Sequence, residues 1–151
     1  MDIIKINENK KKYIALLLLA DEQESMIDKY IDRGDMFVVI DSNTVAAECV
    51  VTVESEGIYE LKNIAVLPEK HKMGYGKMLI DYVFNYYEDL KTIYVGTGDS
   101  ILTIPFYKKC GFIESHRIKN FFTDNYDHPI FEGGKQLIDM VYLKRIKENK
   151  N

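Results

Sequence analysis

The stretch of this 151-residue chain best placed to do chemistry is Glu60 to Lys77, ELKNIAVLPEKHKMGYGK. An apolar, strand-like run meets Pro68, a basic loop follows, and Gly74 and Gly76 stand at the head of an apolar-periodic segment. Glycines at a helix N-terminus let the backbone approach an anion closely. The free N–H groups of the first turn then donate to its oxygens, with the helix dipole behind them. Lys70, Lys72 and Lys77 add positive charge. The spacing therefore predicts a pyrophosphate site. Taken alone, a glycine pair describes an ordinary helix start with a solvated basic rim equally well. The segment lacks the G-x-x-x-x-G-K-[ST] of a nucleotide-triphosphate loop. It also lacks the dinucleotide G-x-G-x-x-G, because Leu79 stands where the third glycine is needed.

A second stretch, NFFTDNYDHPIFEGGK at 120–135, alternates Phe121, Phe122, Tyr126 and Phe131 with Asp124, Asp127 and Glu132. Aromatics beside acids suit a cationic amine, through cation–π and charge attraction. An apolar flap over a sheet or a subunit contact accounts for the same pattern. His128 has no cysteine partners and no second histidine at helical spacing, so no metal site is predicted. Cys49 and Cys110 form no C-x-x-C pair. That argues against a disulfide framework and for a reducing, cytoplasmic setting, with Cys110 as buried packing.

These residues need a frame. Hydrophobic residues at 46% and charged residues at 29% fit a globular domain, here taken as one domain over 1–151. A net charge of −4 excludes a globally basic nucleic-acid footprint. The run 13–20 after Lys10, Lys11 and Lys12 is far shorter than the ~20 residues of a membrane helix and lacks a small-x-small cleavage pattern. No membrane contact is predicted. Eleven tyrosines and no tryptophan are an unusual aromatic balance.

Periodicity and turn chemistry predict a strand at 2–7 and a helix at 9–32 broken near Asp21, with Ile27, Tyr30 and Ile31 inward and Gly34 as C-cap. Strands follow at 36–40, 44–53 and 59–67, with turns at 41–43 and 54–57. A helix spans 74–90 with Leu79, Val83, Tyr86 and Leu90 on one face. Then come a strand at 92–95, a loop at 97–99, and a short helix ending at Cys110 and Gly111 whose start Pro105 delays to about Thr103. A strand at 112–118, an irregular stretch at 121–134, a strand at 136–146 and a polar tail at 147–151 complete the chain. The order predicts an α/β fold, a mixed sheet with helices on both faces.

The segment His71-Lys72-Met73-Gly74-Tyr75-Gly76, after Ile64-Ala65-Val66-Leu67-Pro68-Glu69, resembles the acetyl-CoA site of the GNAT superfamily of N-acetyltransferases. That family reads [Q/R]-x-x-G-x-[G/A], and His71 replaces the usual Gln or Arg. Its second motif, an Asn and then an aromatic-Tyr pair and K-x-G-F, is matched by Ser100 in the Asn position and by Phe106-Tyr107-Lys108-Lys109-Cys110-Gly111-Phe112. The resemblance covers about residues 36–118 in register. It implies a mostly antiparallel sheet of six to seven strands flanked by about four helices, with a splayed strand pair holding acyl-CoA.

It also implies acetyl transfer from acetyl-CoA to a primary amine, without a metal. Ile64, Ala65 and Val66 would pair with the pantetheine arm, with the Val66 N–H polarising the thioester carbonyl. His71, Lys72, Met73, Gly74, Tyr75, Gly76 and Lys77 would hold the pyrophosphate, mostly through backbone amides. Changes to the Met73 or Tyr75 side chains should then matter less than Gly74→Ala or Gly76→Ala. Ser100 and Phe106 would line the pantetheine side. Tyr107 takes the general-acid position, since a phenol of pKa ~10 suits a departing thiolate. The alternative for Tyr107 is core packing against Phe106. Glu60 lies where some members place the general base, and alternation sets it on the face of Ile64 and Val66, opposite Leu61. Water is the alternative base and an exposed carboxylate the plain reading; His71 and His116 are weaker candidates. Phe122, Asp124 and Tyr126 would flank the acceptor groove, for a small cationic molecule. A protein or peptide amine, another acyl-CoA donor, a non-catalytic acyl-CoA sensor and a homodimer remain open alternatives.

Overall fold

The chain's contacts divide it into two compact units, Met1–Leu90 and the part from Lys91 on. The structure, a computed structural model, describes residues 1–148. The predicted polar tail thus lies outside the described residues beyond Glu148.

In the first unit, β1 (Asp2–Ile6), β2 (Asp35–Asp41), β3 (Thr44–Ser55) and β4 (Ile58–Val66) form an antiparallel ladder in sequence order. Ser42 and Asn43 both take left-handed φ, 53° and 66°, the geometry a two-residue hairpin turn requires. A bulge at Ala46 leaves Val39 opposite Ala47 and Ile40 opposite Val45. A second sits at Lys62, where Val50 faces Asn63 and Val51 faces Leu61.

One face of this ladder is covered by α1 (Ile14–Ala20), α2 (Glu24–Ile27) and the turns that follow. Leu17, Ile27, Tyr30 and Ile31 pack there on Met36, Val38 and Val50. The break predicted near Asp21 is present. Gly34 is not the predicted C-cap: it has no left-handed φ. A Cβ there would stand 2.6 Å from Val50 Cγ1, so close chain approach is what demands glycine. The Lys10 ammonium closes the segment instead, donating to the carbonyls of Ile31 and Gly34.

The other face carries α3 (Tyr75–Tyr86). Its buried stripe is Leu79, Ile80, Val83 and Phe84. The helix stops four residues short of the predicted Leu90, because Tyr87 is extended, stacks on Tyr59 at 4.3 Å and donates to Asp35. Tyr86 is therefore half-exposed at the helix end, its ring edge-on to Phe37.

Between β3 and the α1–α2 cover lies a buried polar group without compensation. Glu48 is 0% exposed, sits opposite Ala65, and has no partner for either carboxyl oxygen. Burial pushes its carboxyl well above the usual range. Nearby on the same face, Asn63 donates to the Leu17 carbonyl and the Tyr30 hydroxyl, which donates in turn to Asp21.

The second unit holds β5 (Thr92–Gly98), β6 (Ile113–Ile118) and β9 (Met140–Ile146) in the order β5-β9-β6, all antiparallel. β5 extends through Thr97 and Gly98, which were expected in a loop, because both stay in register with β9. Helix α4 (Ile104–Lys109) follows, with Pro105 in its first turn and Thr103 as N-cap, close to the predicted start. The stretch expected to be irregular contains α5 (Phe121–Asn125) and a hairpin, β7 (Phe131–Glu132) and β8 (Lys135–Gln136). Gly133 and Gly134, with φ 59° and 78°, make its turn. The expected long final strand is thus two pieces, β8 and β9. Leu137 between them is buried over Gly98, where a Cβ would lie 2.5 Å away. Among the described residues the strands of the two ladders number seven and the α-helices five, one helix more than expected because of α5.

Candidate active site

β4 runs to Val66, and Pro68 opens a tight turn, Pro68–Lys70, that leads to α3. Lys72 takes φ 68° and Gly74, the N-cap of α3, φ 81°. A Cβ on Gly74 would meet no protein atom within 4 Å, so conformation rather than crowding selects glycine there. The first intrahelical bond runs from Met78 N–H to the Gly74 carbonyl. The preceding amides, Tyr75 to Lys77, are left without an intrahelical acceptor. No side chain caps this end and no acid stands in the first turn. Backbone, dipole and charge therefore agree on an anion site.

The loop around that end is tied down by its side chains. The Tyr75 hydroxyl donates to the Asp41 carboxylate, which also pairs with Lys70 at 3.3 Å. The Tyr75 hydrogen bond, then Lys70, holds the Asp41 carboxyl below its ordinary value. Asp41 sits at the β2–β3 hairpin, so one carboxylate anchors both flanks of the glycine loop. His71 turns its ring back on β4, with Nε2 3.0 Å from the Val66 carbonyl oxygen. Of the three lysines, Lys70 is held by Asp41 and Lys77 pairs with Asp81 at 2.7 Å, while Lys72 is exposed. The positive cluster is thus weaker than the sequence suggests.

Glu60 is not on the expected face. The bulge at Lys62 reverses the alternation, so Glu60, opposite Thr52, shares the face of Asn63 and Ala65. Ile64 and Val66 point to the α3 face with Leu61. The Glu60 carboxylate is within 3.0 Å of the Lys62 ammonium.

In the second unit, Tyr107 is buried on α4, edge-on to Phe106 at 5.2 Å and to Phe112 at 5.8 Å. The end of α4 explains the K-x-G-F spelling. Gly111 at φ 93° donates to the Lys108 carbonyl, and Phe112 N–H donates to the Tyr107 carbonyl. This is a Schellman termination, whose characteristic apolar contact is here the Phe112 ring against Tyr107. The motif thus fixes the phenol. Ser100 is buried, accepts from Leu102 N–H at 3.0 Å and lies 3.3 Å from a Glu132 oxygen, so its hydroxyl shapes the entry to α4.

The expected acceptor residues separate. Phe122 is buried in a small cluster with Ile130 and Leu137, and Tyr126 stacks on it at 5.5 Å. Asp124 is exposed and does not line the cavity beside them. A cavity of about 230 Å³ opens beside Phe122 and Tyr126, and the acid that lines it is Asp127, paired with His128 at 2.5 Å.

The family model of the acetyltransferase (GNAT) domain matches residues 32–114. The chain belongs to the GNAT superfamily. A curated relative, an uncharacterized N-acetyltransferase YvbK of Bacillus subtilis (strain 168), is 35% identical over 139 residues, 90% of each chain. A GNAT family acetyltransferase from Elizabethkingia anophelis with acetyl-CoA bound superposes with a TM-score of 0.91 and 31% identity, covering 97% of each chain. A Bacillus subtilis acetyltransferase in complex with CoA gives 0.88 and 34%, covering 97% of this chain and 98% of that one. This GNAT protein is an acetyl-CoA-dependent N-acetyltransferase. Its α3 N-terminus, uncapped and free of acid, fits the pyrophosphate of that cosubstrate.

Two features of this GNAT site escaped the sequence. Asp41 reads as turn chemistry, and no motif announces its role in the loop. The Gly133-Gly134 hairpin was signalled by two glycines between short β-prone runs. Among the described residues no group of three or more His, Cys, Asp or Glu could hold a metal ion, and no helix is long and apolar enough to cross a membrane.

Proposed function

We propose that the chain acetylates the primary amine of a small cationic molecule by direct attack, with Tyr107 as general acid. The observation that carries the donor half is the uncapped, glycine-led start of α3, one tight turn beyond Val66. Acetyl-CoA supplies the acyl group as a thioester. The amides of Tyr75, Gly76 and Lys77 bind its pyrophosphate, with Lys72 adding charge. The backbone of Ile64, Ala65 and Val66 aligns the pantetheine arm through a locally splayed strand, Phe106 and Ser100 flank it, and the Val66 N–H donates to the thioester oxygen. The acceptor's ammonium gives up a proton, its nitrogen bonds to the acyl carbon, and the C–S bond breaks. The Tyr107 phenol donates its proton to the departing thiolate and is reprotonated by the second proton that the attacking nitrogen must lose. Glu60 receives the ammonium proton from the α1–α2 side of β4.

A cationic acceptor is supported by aromatic rings and Asp127 around one cavity. Thiol release from acetyl-CoA is measured against polyamines, aminoglycosides and peptides, with wild type, Tyr107→Phe and Glu60→Gln. Turnover on a small polyamine or aminoglycoside is expected. Tyr107→Phe should lower it about 100-fold with acetyl-CoA affinity kept. Glu60→Gln should remove the acidic limb of the pH–rate profile, and an unchanged profile assigns the proton to water. Turnover on peptides alone marks a protein-amine enzyme. Binding without turnover on any amine marks a sensor.

A further inference from the structure

Glu48 is a fully buried carboxyl that the mechanism above leaves unused. Its partner in register is Ala65, one rung of ~3.4 Å from Val66. Two residues before Ala65, on the same face and opposite Val50, stands Asn63, 3% exposed. Diagonal neighbours on a ladder lie within reach of long side chains, so Glu48 and Asn63 can hold one group between them. Neither Glu48 oxygen nor Asn63 Oδ1 has a hydrogen-bond partner among the described residues. Both Nδ2 hydrogens of Asn63 are taken, one by the Leu17 carbonyl at 3.1 Å and one by the Tyr30 hydroxyl at 3.0 Å. The Tyr30 hydroxyl gives its own hydrogen to Asp21 at 3.3 Å.

Three buried acceptor atoms thus face the α1–α2 cover without a donor. A glutamine or an apolar residue at 48 would cost the fold less. Orphaned groups of this kind are completed by an ion, a water or a ligand. One carboxylate and one amide are too few for a metal ion, and no group of three or more His, Cys, Asp or Glu among the described residues could hold one. Water brings two donors and no charge. A protonated primary amine brings three donors and one positive charge, which matches three acceptors of which two belong to a carboxylate. The way in is the link between α1 and α2, extended at Asp21 and Gln23. Asp21 is half-buried there and begins the string Asp21–Tyr30–Asn63 that leads inward.

We propose that Glu48 and Asn63 form an ammonium subsite, entered through the α1–α2 link, that selects the charged form of the acceptor and sets it beside Val66. This deepens the reading above and rests on its cationic acceptor. In the free chain the carboxyl stays neutral by keeping its proton, since burial raises its pKa. In the complex the ammonium neutralises it instead. Binding therefore releases one proton to solvent, and the carboxylate holds the amine that Val66 N–H and the thioester await. The titratable groups on this face are the Tyr30 phenol, which feels the Glu48 charge, and Asp21 beyond it. Cys49 is next along β3, on the other face, while β2 presents Val38 and β4 Ala65 and Asn63.

Calorimetry of the full chain saturated with CoA tests this. The titrant is an amine that turns over in the panel above, or 1,4-diaminobutane if none does. Buffers of different ionisation enthalpy count the protons released. Wild type should release about one proton per amine bound, and its affinity should rise by up to about tenfold per pH unit until the folded carboxyl ionises. Glu48→Gln should weaken binding at least ~tenfold, release no proton and lose the pH dependence. Glu48→Asp, a shorter carboxylate, should keep the proton release with reduced affinity. Circular dichroism and acetyl-CoA binding show each variant to be folded. Binding without turnover sinks the catalytic reading and leaves the subsite standing. Full turnover with Glu48→Gln unchanged in amine affinity does the reverse. No binding by wild type, or binding without proton release, overturns the subsite.

Discussion

The glycine loop before α3 and the aromatic stretch around α5 are both short, both rich in ligand-like residues, and built on opposite principles. In the loop the first-turn amides of α3 are left uncapped, while the side chains of Tyr75, Lys70 and His71 turn inward to hold the loop's shape. In the stretch the side chains that look like ligand contacts are the core of their own hairpin, with Phe122 buried against Ile130 and Leu137. A donor shared by many enzymes can be held by amides that every residue carries. An acceptor particular to one enzyme must be read by side chains, and those are also needed for packing.

The strongest way to break this contrast is Phe122→Ala. If the ring is core, the variant loses about 3 kcal/mol of stability in urea unfolding and keeps its acetyl-CoA affinity. A raised amine KM with full stability would make the stretch a site rather than a support. Next is Gly74→Ala, which forces a side chain into left-handed φ at a cost of ~1–2 kcal/mol. Acetyl-CoA binding by calorimetry should weaken about tenfold, while Met73→Ala changes it less than about twofold. Smaller is the latch. Tyr75→Phe and Asp41→Asn should each weaken acetyl-CoA binding a few-fold, and the double variant no more than the worse single, since they share one hydrogen bond. The Tyr75 side chain then ranks below Gly74, as expected, and above Met73. Smallest, Asp127→Asn should raise the amine KM and Asp124→Asn should leave it unchanged, as steady-state kinetics will show.

The same contrast explains what was legible. Gly74, Gly111 and Pro68 fix backbone conformations, so the loop, the α4 termination and the order of elements could be read directly. The face of Glu60 could not, because the bulge at Lys62 leaves no mark in residue type and shifts alternation by one. Nor could the end of α3, which is settled by Tyr87 finding Tyr59 and Asp35 far away in sequence. Asp41 shows the limit from the other side. It does form the predicted turn, and its second task exists only once β2 and α3 are side by side.

Glu48 gives the folded chain a thermodynamic property that no contact map displays: it makes folding take up a proton. Below the ordinary carboxyl pKa of about 4.3 both folded and unfolded chains carry that proton, so no penalty arises. As pH rises above that value the unfolded chain releases it while the buried carboxyl, its pKa raised by desolvation, retains it. Stability should therefore fall with rising pH, by up to about 1.4 kcal/mol per unit, until the folded-state pKa is passed. Asp41, held low, acts in the opposite sense, and its contribution is lost only in stronger acid. Thermal melts across pH should show Glu48→Gln flattening the alkaline decline and raising the melting temperature at neutral pH. With Glu48 intact, the decline begins just above the ordinary carboxyl range, so a mildly acid buffer should protect the fold better than a basic one.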